Sequence, residues 1–314
     1  PISNKYGGHG ALSLGQALMV SCNDVMMQIS AKLGKEKFLD YMDAFGLGRK
    51  TGIDLPGEAT GTVFNNDTMH STQLATSSFG QSQTVTMVQM AAAFSAIVNG
   101  GNYYRPHVVE EVSSESGAVI QSEDDAVESK VITEKTSRLL RKFLLATVEE
   151  GTANPASVKG YKVAGKTGTA EKINPETGTR WEGKYLVSFI GCAPVDDPQL
   201  TVYVVVDEPN VENQETGGYS MIISRKIMME VLPYLNIPQT EEITDELLQE
   251  LELTREDVEN GRNAALIKEK SETTETDEYG NVISSGTTAE TDEYGNVISS
   301  GTTSGSTSSA TGAF

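Results

Sequence analysis

Lys166-Thr167-Gly168-Thr169 places an ammonium group, two hydroxyls and a glycine within four residues. At the edge of a cleft that set could bind a carboxylate or stabilise a developing oxyanion, with glycine permitting close backbone approach. A second cluster, Ser21-Cys22-Asn23, is also what a helix cap looks like, because Ser and Asn are favoured there. Two other matches compete for attention. Residues 160–167, GYKVAGKT, fit the phosphate-loop pattern G-x-x-x-x-G-K-[ST]. A phosphate loop needs a buried strand before it and a helix opening at Lys-Thr. Here residues 152–159 make a poor strand, the loop itself is strand-like, and residues 169–183 hold Pro175 and Gly178 instead of a helical stripe. That context argues against nucleotide binding. Lys50-Thr51-Gly52 repeats the tripeptide in a loop with no strand pattern before it.

The elements that must position these groups follow from hydropathy patterning. Residues 12–20 and 25–33 carry apolar residues at helical spacing, with Asn23 or Asp24 available to cap the second helix. Residues 21–23 therefore fall in a short loop between two helices. Gly34 ends the second, residues 38–45 read as a third, and 46–61 form a Gly-rich loop containing Pro56. Thr84 or Thr86 caps an apolar helix that runs to Val98 and stops at Asn99-Gly100-Gly101. Residues 133–150 form an amphipathic helix with Leu139, Leu140, Phe143, Leu144 and Val148 on one side. The pattern then changes to strands at 161–164, 185–192 and 200–206, rich in Val, Tyr and Ile. Residues 161–169 thus read as a strand ending in Lys-Thr-Gly-Thr. Residues 220–235 return to helix, which predicts an α+β domain whose antiparallel sheet is covered by helices.

Composition narrows the function classes. The 38% hydrophobic content is enough for a real core, and the net charge of −20 is concentrated late, with 17 acidic and 4 basic residues from Glu241 onward. Clustered Lys and Arg are missing, so a nucleic-acid partner is not expected. Cys22 and Cys192 lack the paired spacing of a zinc site and leave both a disulfide and two buried free thiols open. Only His9, His70 and His107 are present, so a histidine-based triad or metal cluster is poorly supplied. Any nucleophile would need a different base, and no metal is expected. The longest mostly apolar stretch, 87–98, is too short to span a bilayer. Within the tail, ETDEYGNVISSGTT at 275–288 recurs unchanged at 290–303. The chain divides into a domain at 1–238, an acidic linker with some helical character at 239–270, and a low-complexity tail at 271–314 predicted to be disordered.

Several stretches together resemble the transpeptidase domain of class B penicillin-binding proteins. They are HGALSLGQALMVSCNDVMMQISAKLG from His9, FGLGRKTGIDLPGE from Phe45, Ser78-Phe79-Gly80-Gln81, Asn99-Gly100-Gly101, Glu150-Gly151-Thr152-Ala153 and VAGKTGTAE from Val163. The ending MMEVLPYL from Met228 leans toward the division and sporulation branch. A Ser-x-Asn at a helix junction followed far downstream by Lys-Thr-Gly on a strand is the order found in serine acyl-transferases that react with penicillin.

The resemblance implies the penicillin-binding and serine β-lactamase-like fold, and a two-step acyl transfer. A serine attacks the bond between the terminal D-alanines of a cell-wall stem peptide, and an amine of a second stem peptide resolves the acyl-enzyme into a crosslink. By resemblance Ser21 relays a proton to the leaving amine, Asn23 holds the substrate amide, and Lys166 keeps the cleft positive and bonds Ser21. Thr167 and Thr169, flanking Gly168, take the terminal carboxylate or its β-lactam equivalent, and the Thr169 N–H is one oxyanion donor. No cofactor is implied. The family's attacking serine belongs to a Ser-x-x-Lys motif several tens of residues before Ser-x-Asn. Only 20 residues precede Ser21, and no serine of the chain has lysine three places later. The nucleophile is therefore expected upstream of Pro1, the chain alone is expected to be inactive, and apolar surface is expected where the upstream segment would pack. The implied partners are stem peptides, β-lactams, a membrane glycan polymerase and division proteins. The implied location is outside the cytoplasmic membrane, anchored by one N-terminal helix. Two rivals share the fold: a β-lactam sensor, which needs the same upstream motif and a signalling segment, and a non-catalytic division scaffold. A β-lactamase is disfavoured by the long stretch between Ser-x-Asn and Lys-Thr-Gly.

Overall fold

The structure, a computed structural model, describes residues 9–117, 119–122, 127–174, 176–211, 213–215 and 218–240, and the backbone of four short strands between 275 and 299. Helix α1 (Leu14–Met19) opens with a capping box in which the Ser13 hydroxyl accepts from the Gln16 N–H and the Gln16 carboxamide accepts from the Ser13 N–H. The chain then turns tightly: the Cys22 N–H donates to the Ala17 carbonyl at 2.8 Å, with Ser21 at φ 51°. Helix α2 (Asn23–Leu33) follows at once. The predicted cap at Asn23 or Asp24 is not used. The turn at Ser21 brings the chain into the helix earlier, Cys22 takes the cap position without a side-chain bond, and Asn23 becomes the first helical residue.

Gly34, at φ 83°, separates α2 from α3 (Lys35–Ala44). Helix α4 (Ser71–Ser77), which packs against α2, was not predicted, because STQLATS has a single large apolar residue and no stripe. Helix α5 (Met87–Val98) is capped by Thr86 rather than Thr84, through a capping box with Gln89. Gln89 is fully buried, and its Nε2 also donates to the carbonyls of Arg49 and Thr60. One side chain therefore caps a helix and pins both ends of the Gly-rich loop.

Two small pairs follow: β1 (Asn102–Tyr103) with β4 (Ser129–Lys130), and β2 (Glu111–Ser113) with β3 (Val119–Ser122). Strands this short show no period-2 pattern, so sequence gave no sign of them. Helix α6 (Glu134–Glu149) falls within the predicted 133–150, with Thr133 outside it as the cap, its hydroxyl accepting from the Thr136 N–H.

The main sheet is antiparallel with order β5 (Ala164–Ile173), β6 (Arg180–Ala193), β7 (Leu200–Asp207), and α7 (Gly218–Tyr234) packs against β6 and β7. On one face Phe189, Val202 and Val204 meet Met221, Met228 and Leu232 of α7. On the other, Ile190 and Cys192 meet Phe94 and Val98 of α5 and Leu144 of α6. Because β6 is covered on both faces, VSFIGCA reads as a near-continuous apolar run instead of an alternating one. Both cysteines are buried as thiols and do not form a disulfide with each other.

The first strand differs from expectation. Tyr161 makes only an isolated bridge to Val158 around Gly160, at φ 83°, and spends its hydroxyl on the Ile237 carbonyl. The strand begins at Ala164, so Lys-Thr-Gly-Thr sits in its first half; pairing with β6 continues to Ile173 opposite Arg180.

Of the linker predicted at 239–270, residues 241–270 lie outside the described residues, as does most of the tail. Each repeat copy forms a pair of short strands, β8 (Glu275–Thr276) with β9 (Val282–Ile283) and β10 (Glu290–Thr291) with β11 (Val297–Ser299); Thr pairs with Val in both, but Glu275 pairs with Ile283 whereas Glu290 pairs with Ser299. Among the described residues, no helix is long and apolar enough to cross a membrane.

Candidate active site

The turn between α1 and α2 faces the first half of β5. Lys166 Nζ donates to Ser21 Oγ at 3.0 Å, joining residues 145 apart in sequence. The same ammonium donates to the Thr167 carbonyl at 3.1 Å and the Thr167 hydroxyl at 3.3 Å. Three N–H groups thus meet three neutral acceptors. Burial pulls the Lys166 pKa down from 10.5 to about 8. Ser21 is exposed despite this bond, and its left-handed backbone is the kind of local strain that collects at functional sites. Asn23, half-buried, follows it at the start of α2.

Among the described residues β5 is an edge strand, and the outer carbonyls of Gly165, Thr167 and Thr169 have side-chain partners. Thr147 of α6 donates its hydroxyl to Gly165, Lys166 donates to Thr167, and Gln81 Nε2 donates to Thr169 at 3.5 Å. In an antiparallel strand the N–H and C=O of one residue point to the same side. The Thr169 N–H therefore points to the open edge as well. On β6 the alternation continues: Tyr185, two from Val187, receives its bonds from the β7 side, where its N–H meets Gln214 Oε1 and its carbonyl accepts from the Glu208 N–H.

Gly168 owes its identity to the neighbouring strand, since a Cβ there would sit 2.6 Å from Ser188 Oγ. Beside Thr169 a pocket of about 620 Å³ opens, lined by Gln81, Glu171, Tyr185, Gln214 and Glu215 among others. The structure thus brings Ser21, Lys166, Thr167 and the open edge at Thr169 to one cleft wall, with Asn23 two residues beyond Ser21 at the first position of α2. Sequence reasoning placed Gln81 in a motif without giving it a site; its only signal was the run Ser78-Phe79-Gly80-Gln81. Thr147 gave no signal beyond its place on an amphipathic helix.

The competing matches resolve structurally. Lys166-Thr167 lies in a strand, not at a helix opening, so the residues of the phosphate-loop pattern have no loop to form. In the second Lys-Thr-Gly, Glu58 Oε1 accepts from both the N–H and the hydroxyl of Thr51 at 2.6 Å, and Glu58 Oε2 accepts from the Gly52 N–H at 3.1 Å. The Thr51 hydroxyl bond holds the Glu58 carboxyl below its usual range. That tripeptide closes a loop.

Residues 2–229 match the family model described as the penicillin binding protein transpeptidase domain. The chain belongs to this family. It is 42% identical over 234 residues to stage V sporulation protein D of Bacillus subtilis, covering 74% of this chain and 36% of that protein. It is 29% identical over 235 residues to the probable peptidoglycan D,D-transpeptidase PenA of Neisseria meningitidis, covering 74% and 38%. The crystal structure of penicillin-binding protein 3 from Mycobacterium tuberculosis complexed with ampicillin superposes with a TM-score of 0.68 at 28% identity, covering 75% of this chain and 54% of that one. The fold is thus the transpeptidase fold of class B penicillin-binding proteins, with helices packed on both faces of an antiparallel sheet. The chain spans little more than a third of the length of these two curated relatives.

Proposed function

We propose that this chain is the Ser-x-Asn and Lys-Thr-Gly portion of a peptidoglycan D,D-transpeptidase that works through a serine acyl-enzyme. The bond from Lys166 to Ser21 carries the reading, because it joins the two motifs at the edge of the strand that also presents Thr169. The attacking serine belongs to a Ser-x-x-Lys segment upstream of Pro1. Two observations support that placement: no serine in the chain has lysine three places later, and Leu14, Val20 and Ile29 on α1, α2 and the turn between them are 39–44% exposed.

In the first step the serine oxygen bonds to the carbonyl carbon of the penultimate D-alanine, and the amide C–N bond breaks. The attacking serine gives its hydroxyl proton to the lysine of the same upstream motif; Ser21, polarised by Lys166, passes a proton to the departing D-alanine nitrogen and is reprotonated from that lysine. The Thr169 N–H receives the oxyanion, while the Thr167 and Thr169 hydroxyls and the Lys166 charge take the terminal carboxylate. Asn23 holds the donor peptide's amide. In the second step the amine of another stem peptide attacks the ester carbonyl, and the serine oxygen leaves with a proton. β-Lactams acylate the same serine because their strained amide mimics the peptide bond. A membrane anchor with the domain outside the cytoplasmic membrane, and a glycan polymerase and division proteins as partners, complete the reading.

The test uses the protein with its upstream sequence, a thioester analogue of the donor stem peptide and a D-amino acid as acceptor. Formation of the exchanged product is the expected result. Acylation without transfer to the amine would favour a β-lactam sensor instead, and absence of acylation a non-catalytic scaffold.

A further inference from the structure

The run Ser78-Phe79-Gly80-Gln81 has no part in the mechanism above, yet its last residue reaches the reaction edge. We propose that Gln81 is a positioning residue for acyl transfer, holding the open edge of β5 at Thr169 so that the N–H of that residue stays aimed at the oxyanion; this rests on the transpeptidase reading. Three of the outward-facing carbonyls of β5 have partners of different kinds. That of Gly165 is held by α6, that of Thr167 by the adjacent lysine, and that of Thr169 by Gln81, from the turn between α4 and α5. Thr169 is exposed and lies where the strand passes the reaction centre toward the 620 Å³ pocket, on whose lining Gln81 also stands.

The turn is built to deliver this side chain. Its entry is fixed by the Gly80 N–H on the Ser77 carbonyl at 3.1 Å and the Gln81 N–H on the Thr76 carbonyl at 3.0 Å. Its exit is fixed by the two-way bridge between Thr84 and Thr62, at 2.8 and 2.9 Å. Between these anchors Gly80 at φ 86° and Ser82 at φ 69° flank Gln81 in left-handed backbone. Serine has no intrinsic preference for that region, so the anchors on either side hold the strained conformation in place. The carboxamide then bridges two separate parts of the fold, fixing from outside a residue of β5 whose own N–H and C=O face away from the sheet. Its 3.5 Å contact is long, as catalytic-site bonds often are before substrate tightens them.

The test measures β-lactam acylation of the protein with its upstream sequence, resolving the dissociation constant of the initial complex from the first-order acylation rate. Gln81→Ala and Gln81→Met are compared with the parent. Methionine preserves length and bulk but cannot donate a hydrogen bond. Both variants are expected to acylate about tenfold more slowly, the size of one lost hydrogen bond, with initial binding changed less than twofold. An unchanged rate in both variants, or a parental rate in Gln81→Met, would overturn the proposal and leave Gln81 as packing. Failure of the parent protein itself to acylate would instead overturn the transpeptidase reading on which it rests.

Discussion

Lys166→Ala, made in the protein with its upstream sequence, is expected to slow β-lactam acylation about a hundredfold to a thousandfold, while Lys50→Ala leaves the rate unchanged. The two lysines open identical tripeptides, so local sequence cannot separate them. Structure can: Lys166 lies on an edge strand and bonds Ser21, whereas Lys50 opens a loop whose Thr51 and Gly52 are held by Glu58. Removing Lys166 takes away the cleft's cation and leaves the Ser21 hydroxyl without the donor that orients it. Equal loss from both substitutions would mean that the wrong Lys-Thr-Gly has been assigned. The pH dependence adds an independent check. With its pKa lowered to about 8, Lys166 loses its charge as pH rises through that value, so acylation should fall on the alkaline side near pH 8. Stability moves the other way. Between about 8 and 10.5 the unfolded chain binds the lysine proton more tightly than the folded one, so the cost of burying this ammonium is relieved as pH rises through that window. A loss of acylation there that tracked a loss of fold would contradict the assignment.

Phe189→Ala is expected to cost about 3–5 kcal/mol of stability, read by chemical denaturation, and about 10 °C in melting temperature. The ring is fully buried and belongs to the cluster shared with α7. It also fills the space left by two glycines: a Cβ at Gly165 or Gly191 would run into its edge, the latter at 2.7 Å. The ring therefore supports β5 directly beside Lys166, and its removal empties a cavity behind the reaction edge as well as in the core. Acylation should weaken along with stability. A loss under about 1 kcal/mol would show that the neighbouring side chains collapse into the space.

Helix order, the antiparallel strands and both motifs were legible because each rests on local periodicity or residue type. The contact between Ser21 and Lys166 was not, since nothing in either tripeptide encodes a partner 145 residues away; only the resemblance proposed it. Strand β5 was read too early and too short, for two reasons. Tyr161 looks like a strand residue but is buried at a turn, and the polar run from Lys166 to Ile173 is held by pairing with β6 instead of by apolar alternation. Helix α4 was missed because a seven-residue helix with one leucine leaves no stripe. The Thr169–Gln81 contact was invisible for the same reason as the central one: it joins a turn to a strand edge through backbone carbonyl geometry, which residue type does not report.

The most direct measurement is peptide mapping by mass spectrometry after incubation with penicillin, on the chain from Pro1 and on the protein with its upstream sequence. A single penicilloyl group on the serine of an upstream Ser-x-x-Lys, with none on the chain from Pro1, is the predicted result. An adduct on Ser21 or elsewhere in the chain from Pro1, or none on the longer protein, would contradict the account.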